Sequence, residues 1–319
     1  MPSYLLIQTG HLRETVHGLL LAQSIKRQAP DSRIVWLGRH ELLGLARISP
    51  SVDSAHGLAI GGGIFDFIRV LRAVRLDAAE TAIDLQGLIR TGILLRLSGA
   101  RERIGRRDDR EGAGFLFYKR RPELPPAGAR SHPGDITRYF LGSIGLKNEF
   151  HWPIAVGRPL EFNAAVEPLA DIPRPIVIFP DARRKAHRWL GFRELTNFIL
   201  LNAPNTHVVW CAAEAHEGRD SWKGGRFHNL TGKTTVDALP EILRRASIVI
   251  SNDTGAAELA SALGISTLTI YGSTDPTRSG PQSNQPGNHM HVRSPLAEIH
   301  RLPVRDVWES LQAHPDWSP

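Results

Sequence analysis

Residues Ser251–Gly264 read SNDTGAAELASALG. An apolar run, Ser247–Ser251, leads into Asn252, Asp253 and Thr254, and each of these three is a good helix N-cap. Gly255 lets a ligand approach the backbone, and Ala256 and Ala257 keep the first helical turn bare. A helix start of this kind presents unpaired N–H groups and a partial positive charge, which is a site for an anion such as a pyrophosphate. A capped helix without a ligand has the same local pattern. The flank adds a second feature. Gly272–Pro281 (GSTDPTRSGP) follows the next apolar run, Thr267–Tyr271, and puts another polar turn, with Thr274 and Asp275, at the same sheet edge. Two such loops on neighbouring strands suggest a pocket at the carboxyl ends of a parallel sheet.

Two other stretches carry chemical groups. After the apolar run Tyr4–Gln8 comes HLRETVH, His11–His17. Glu14 there is either a general base or an acid that caps the first helix, and His17 is a supporting or alternative proton acceptor. After Phe179 comes PDARRKAHRW, Pro180–Trp189, a cationic loop suited to a phosphate but equally readable as a solvated basic loop.

The elements that position these groups alternate along the chain. Strands are expected at 4–8, 33–37, 81–85 and 103–105, with helices at 12–28, 65–74, 87–97 and 132–145 between and after them. Arg106–Arg130, dense in arginine and holding Phe115, Phe117 and Tyr118, reads as a long loop with one helical turn, of the kind that is functional or disordered. A Pro- and Ala-rich connector spans roughly Trp152–Pro175. Beyond it, strands at 175–179, 207–211, 247–251 and 267–271 alternate with helices at 192–201, 236–245 and 255–263, and 304–313 is a last helix. Another strand is expected to end near Asn229–Leu230. This is an α/β chain of two parallel-sheet domains, 1–155 and 156–319, with the last helix expected to pack back on the first domain.

Bulk properties narrow the partner. The 319 residues are 41% hydrophobic, and 39 Lys plus Arg against 32 Asp plus Glu give +7, which favours an anionic partner. No helix-turn-helix, RNP or zinc signature supports nucleic acid, so none is expected. The single cysteine, Cys211, excludes a disulfide framework or a cysteine zinc cluster within the chain and fits a reducing compartment. No apolar run reaches the length of a membrane span. The expectation is a cytoplasmic protein in peripheral contact with the inner membrane surface, with its oligomeric state left open.

NLTGKTT at Asn229–Thr235, SNDTGAAELASALG and YGSTDPTRSGP together resemble glycosyltransferase family 9, the ADP-heptose:lipopolysaccharide heptosyltransferases. Ile83–Gly105 (IDLQGLIRTGILLRLSGARERIG) looks like that family's DFQGL segment, and His132–Tyr139 (HPGDITRY) is similar to its H-x-x-D-x-Y. Arg110–Gly112 and Phe117–Arg120 resemble heptosyltransferase I in particular. The resemblance implies a GT-B fold, two Rossmann-like domains facing a central cleft. It implies an inverting transfer without a metal or other cofactor, from an ADP-sugar to an anionic glycolipid or glycan such as the lipopolysaccharide inner core. Asp253, Thr254 and Gly255 would hold the donor diphosphate, helped by Arg183, His187, Thr274 and Asp275, and Glu214 would hold the ribose. Arg13, Gln86, Arg90, Arg110 and Arg120 would meet the acceptor, and Glu14 would be the base. Glu14 stands where the family carries aspartate, His187 where it carries lysine, and Glu258 where it carries histidine. Those departures keep two other readings open: a non-catalytic binder of a nucleotide-sugar or acidic glycan, and another GT-B enzyme such as a nucleotide-sugar epimerase.

Overall fold

Long apolar runs with no polar alternation form strands buried on both faces, and here they become the middles of two parallel sheets. The computed structural model describes the chain except residues 60, 109–110, 113, 160–165, 183–186, 217–221, 223–224 and 283–287. It divides into two compact units, Met1–Leu160 and Glu161–Pro319.

The first unit runs β1 (Ser3–Gln8), α1 (Leu12–Gln28), β2 (Arg33–Arg39), α2 (Leu43–Arg47), β3 (Ser54–Leu58), α3 (Ile64–Leu76), β4 (Thr81–Asp84), α4 (Ile89–Leu97) and β5 (Glu102–Gly105). Short helices α5 (Gly114–Phe117), α6 (Pro133–Arg138) and α7 (Phe140–Ser143) follow. The sheet order is β3-β2-β1-β4-β5, all parallel. Val70 and Val74 of α3 and Leu94 and Leu95 of α4 share one core with Leu5, Ile7, Val35 and Leu37, so both helices lie on the same face of the sheet. The helical turn expected within the long loop is α5, whose Phe117 packs on α4: a methyl at Gly92 would lie 2.4 Å from the Phe117 ring.

The second unit runs β6 (Ile176–Phe179), α8 (Phe192–Asn202), β7 (Val208–Trp210), β8 (Phe227–Asn229), α9 (Leu239–Arg245), β9 (Ile248–Asn252) and α10 (Gly255–Ala262). It continues with β10 (Thr267–Tyr271), α11 (Pro276–Ser279), β11 (His289–Arg293) and α12 (Val304–Gln312). Its sheet order is β11-β10-β9-β6-β7-β8, again all parallel. The final helix, expected to pack back on the first unit, is seated in the second. Val307 and Leu311 enter the core built by Ile178, Trp210, Ile250 and Ile270, and Trp308 stacks on Phe198 of α8. No described helix is long and apolar enough to cross a membrane.

Candidate functional site

In each sheet the chain reverses its direction of travel at one pair of strands, β1/β4 in the first unit and β6/β9 in the second. Loops leaving the carboxyl ends of such a pair part to opposite sides and leave a crevice, where open α/β sheets bind ligands.

At the β6/β9 crevice, β9 ends in Asn252, whose side chain is fully buried. Its Oδ1 accepts from the Trp189 N–H at 2.9 Å, and its Nδ2 donates to the Asp181 carbonyl at 3.0 Å. Asn252 therefore laces the loop after β6 to the start of α10. The N-cap itself is Thr254, in extended backbone, but its hydroxyl does not cap the helix. Thr254 Oγ1 is buried without a hydrogen-bond partner among the described residues. An uncapped helix start beside an unsatisfied hydroxyl is a place for an anion. Asp253 is joined to the next loop: Ser279 Oγ donates to its Oδ2 at 3.3 Å. The two polar loops read from the sequence do meet.

Asp275 sits in that second loop with its carboxylate engaged. It caps α11, with Oδ1 accepting from Thr277 N at 2.9 Å and Thr277 Oγ1 at 2.8 Å. These hydrogen bonds hold its carboxyl below the ordinary range. Thr274 beside it is half-buried, as is His187, while Glu214 is exposed in the loop after β7. Arg183 lies outside the described residues. Glu258 belongs to the first turn of α10. It is fully buried in α10, and its charge acts on His289 at the amino end of β11.

One group here was missed from the sequence. Asp181 Oδ1 lies 2.5 Å from His216 Nε2, and Arg188 approaches His216 Nδ1 at 3.2 Å. A guanidinium can only donate, so Nδ1 accepts and Nε2 keeps the proton and donates to Asp181. The imidazole holds Arg188 in place after β6. The His216 loop is pinned in turn, since Thr231 Oγ1 accepts from His216 N at 2.8 Å and Asn229 Nδ2 donates to His216 O at 2.6 Å. This gives NLTG its local task. Asp181 and His216 are too far apart in sequence for spacing to pair them.

At the β1/β4 crevice, three of the expected residues converge. A methyl on Gly10 would fall 2.9 Å from both Gln86 Oε1 and Glu14 Cβ, so this approach needs glycine. Glu14 Oε2 accepts from the His11 N–H at 3.1 Å, half of a capping box on α1. Arg13 is half-buried on the same turn and Gln86 is buried. His17 is sealed inside the unit, its ring edge-on to His132 at 5.6 Å between centroids. His132 caps α6 by accepting from Gly134 N at 3.0 Å.

Beneath Gln86 lies an acid that sequence reading left aside. Asp84 is fully buried at the end of β4 and receives Gln86 N at 2.8 Å, Gly87 N at 3.3 Å, Thr91 Oγ1 at 2.7 Å and the Tyr118 hydroxyl at 2.8 Å. Burial pushes its carboxyl upward, against the pull of those donors. Asp84 shapes the turn that presents Gln86. Its signal was the DLQGL string, which drew attention to the glutamine only.

Much of the basic segment expected at the acceptor is tied up internally. Arg106 grips Asp108 through two bonds, at 3.0 and 2.7 Å, and donates to the Leu85 carbonyl at 3.2 Å. Arg107 donates to the Pro122 carbonyl at 3.1 Å. Arg120 lies 3.4 Å from Glu102, the first residue of β5, while its main chain pairs with Ile104 of the same strand. Main-chain bonds from Lys119 and Arg120 to the Arg103 carbonyl set that course. Arg90 is exposed at the start of α4 and reaches the Ala59 carbonyl at 3.3 Å, and Arg110 lies outside the described residues.

Two parallel α/β units, each with its crevice at a switch point, are the two Rossmann-like domains of the GT-B fold. The profile of glycosyltransferase family 9 (heptosyltransferase) matches residues 67–304. The lipopolysaccharide core heptosyltransferase OpsX of Haemophilus influenzae is 23% identical over 297 residues, 88% of this chain and 82% of its own. Lipopolysaccharide heptosyltransferase 1 of Escherichia coli is 26% identical over 248 residues, 76% of this chain and 75% of its own. The solved structure of the E. coli heptosyltransferase WaaC with ADP is similar at a TM-score of 0.78 and 20% identity, covering 98% of this chain and 99% of that one. The chain belongs to glycosyltransferase family 9.

Proposed function

We propose that this chain moves a heptose or related sugar from an ADP-sugar to an anionic acceptor of the lipopolysaccharide inner-core type, with inversion and without a metal ion. The observation that carries the reading is the start of α10, an uncapped helix N-terminus with the Thr254 hydroxyl buried and unsatisfied beside it. The relatives named for lipopolysaccharide heptosyl transfer support the sugar and the acceptor class, and the similar structure solved with ADP supports the nucleotide.

In this reading Glu14 takes the proton of the acceptor hydroxyl as its oxygen attacks the anomeric carbon. The bond from that carbon to the diphosphate oxygen breaks, and ADP leaves with one more negative charge. The α10 N–H groups, Thr254 and the oriented Arg188 stabilise that growing charge more than they stabilise the bound donor, which is what lowers the barrier.

Thermal shift with ADP, UDP and GDP tests the site, and transfer from ADP-heptose to a Kdo-terminated acceptor tests the reaction. ADP is expected to stabilise the chain most, and the product is expected to carry the inverted anomeric configuration with turnover unchanged in EDTA. Absence of stabilisation by any nucleotide rules the reading out. Binding without turnover leaves a nucleotide-sugar binder instead.

A further inference from the structure

The outer surface of α3 and α4 has an unusual composition. The exposed residues of α3 are Ile64, Phe65, Ile68, Arg69, Arg72, Arg75 and Leu76, and those of α4 are Ile89, Arg90, Ile93 and Arg96. Every one is a large apolar side chain or an arginine. Phe65 is 85% exposed and Ile64 is 64% exposed, and Leu116 of α5, which packs on α4, is 63% exposed. The two helices hold one acid between them, Asp66, and Arg69 pairs with it at 2.5 Å. They lie side by side and are joined at both ends: Arg90 donates to the Ala59 carbonyl before α3, and Arg75 donates to the Leu97 carbonyl at the end of α4 at 2.7 Å. The surface is therefore one continuous patch of isoleucine, phenylalanine and arginine on a fixed layer.

We propose that this α3–α4 face docks the protein on an anionic lipid bilayer, with the arginines at headgroup phosphates and Phe65, Ile64, Ile68, Ile89 and Ile93 entering the acyl boundary. Apolar side chains at this exposure are disfavoured in water and mark an interaction surface. An interfacial helix layer carries this combination, apolar groups to insert and basic groups to meet anionic lipid. A second copy of the chain is a poor occupant. A two-fold contact would set five arginines of one copy against five of the other, with Asp66 already engaged. Arg106 and Arg120, which are not part of this face, are paired with Asp108 and Glu102. The proposal rests on this surface alone and does not need the transfer reaction.

The test is co-sedimentation of the full chain with phosphatidylcholine vesicles, with and without phosphatidylglycerol. Binding is expected only with phosphatidylglycerol and should weaken with salt. Each arginine near an anionic leaflet strengthens binding roughly five-fold, so the double variant Arg72→Ala/Arg96→Ala should bind about 25-fold more weakly. Phe65→Ser/Ile68→Ser should bind at least ~10-fold more weakly, since each removes inserted apolar surface. All four side chains are exposed, so the melting temperature should be unchanged and serves as the folding control. A polarity-sensitive dye on Ile68→Cys should shift to the blue on these vesicles, and the same dye on Arg27→Cys of α1, which packs on the opposite face of the sheet, should not. Cys211 does not compete for the label, because it is buried and its thiol is pushed up to about 12. The proposal falls if phosphatidylglycerol vesicles are not bound or if both double variants bind like the parent. It also falls if the chain is a dimer by light scattering that Phe65→Ser splits.

Discussion

The helices that leave the two switch-point strands, α1 after β1 and α10 after β9, finish their N-termini in opposite ways. In α1 the Glu14 carboxylate turns back to the His11 N–H, so the first turn supplies its own negative charge. In α10 the N-cap hydroxyl makes no capping bond and is buried without a partner among the described residues, and the acid of the first turn, Glu258, is buried and acts on His289. The same backbone dipole is answered from within in one unit and left for a ligand in the other. On the proposed function one crevice presents a carboxylate and the other receives an anion. Base and diphosphate sites differ in just this way.

The sharpest way to break the comparison is at Glu14. Glu14→Gln keeps an oxygen that accepts from His11 N, so the melting temperature should hardly move. The carboxylate is gone, and kcat should fall by ~10²–10⁴-fold, the usual contribution of a general base. Steady-state transfer kinetics alongside a melting curve separate the two roles. Activity that survives within ~10-fold would make Glu14 a cap and nothing more.

Next is Gly255→Asp, which puts a carboxylate at the first residue of α10. The helix start gains a favourable charge of about 0.3–1 kcal/mol, so the free protein should melt no lower than its parent. ADP meets a like charge costing several kcal/mol, and its affinity by calorimetry should fall by at least ~100-fold. ADP binding that persists would place the donor elsewhere.

Thr254→Val is a milder version with opposite signs in the two states. Removing a buried hydroxyl that lacks a partner should leave the free protein as stable as before or more so. If that hydroxyl meets the diphosphate, ADP binding should weaken by about 10-fold, the net worth of one hydrogen bond to a charged group. A loss of stability without ADP would mean that Thr254 has a partner of its own in the fold.

What could be read in advance follows the same division between buried and shared features. YLLIQ, RIVWL, IVIF and TLTIY are continuous apolar strings because their strands are covered on both faces. The edge strands β3 (SAHGL) and β11 (HMHVR) are covered on one side only and have few apolar residues, and neither was expected. The expected helix 132–145 is interrupted at Tyr139 into α6 and α7. At the sites, the start of α10 was legible because strand, polar turn and bare helix follow one another in the chain. The Asp181–His216–Arg188 cluster was not, because its members meet only when the loops after β6 and β7 come together. Arg120 misled for the same reason: its charge was visible in the sequence, but its partner Glu102 was not.

The smallest expected effect is a difference in acid tolerance between the units. His207, His228, His289 and His314 all belong to the second unit, and burial, in each case the largest cause, depresses them below the ordinary 6.5. In the folded unit they stay neutral where the unfolded chain would already take up protons. Stability therefore falls as pH drops below 6.5 and levels off only under their folded values. Three of the four keep some contact with solvent, which limits the size of the loss. In the first unit the buried Asp84 is shifted upward, and its contribution has the other sense: it is full at low pH and lost as pH rises through the folded value. Acidification from neutral to about pH 5 should thus loosen the second unit before the first. Hydrogen exchange followed by mass spectrometry reads peptides from each unit in one sample. Earlier exchange in β10 and β11 than in β1 and β4 is the expected order, and the reverse order would mean that these histidines do not control the acid response.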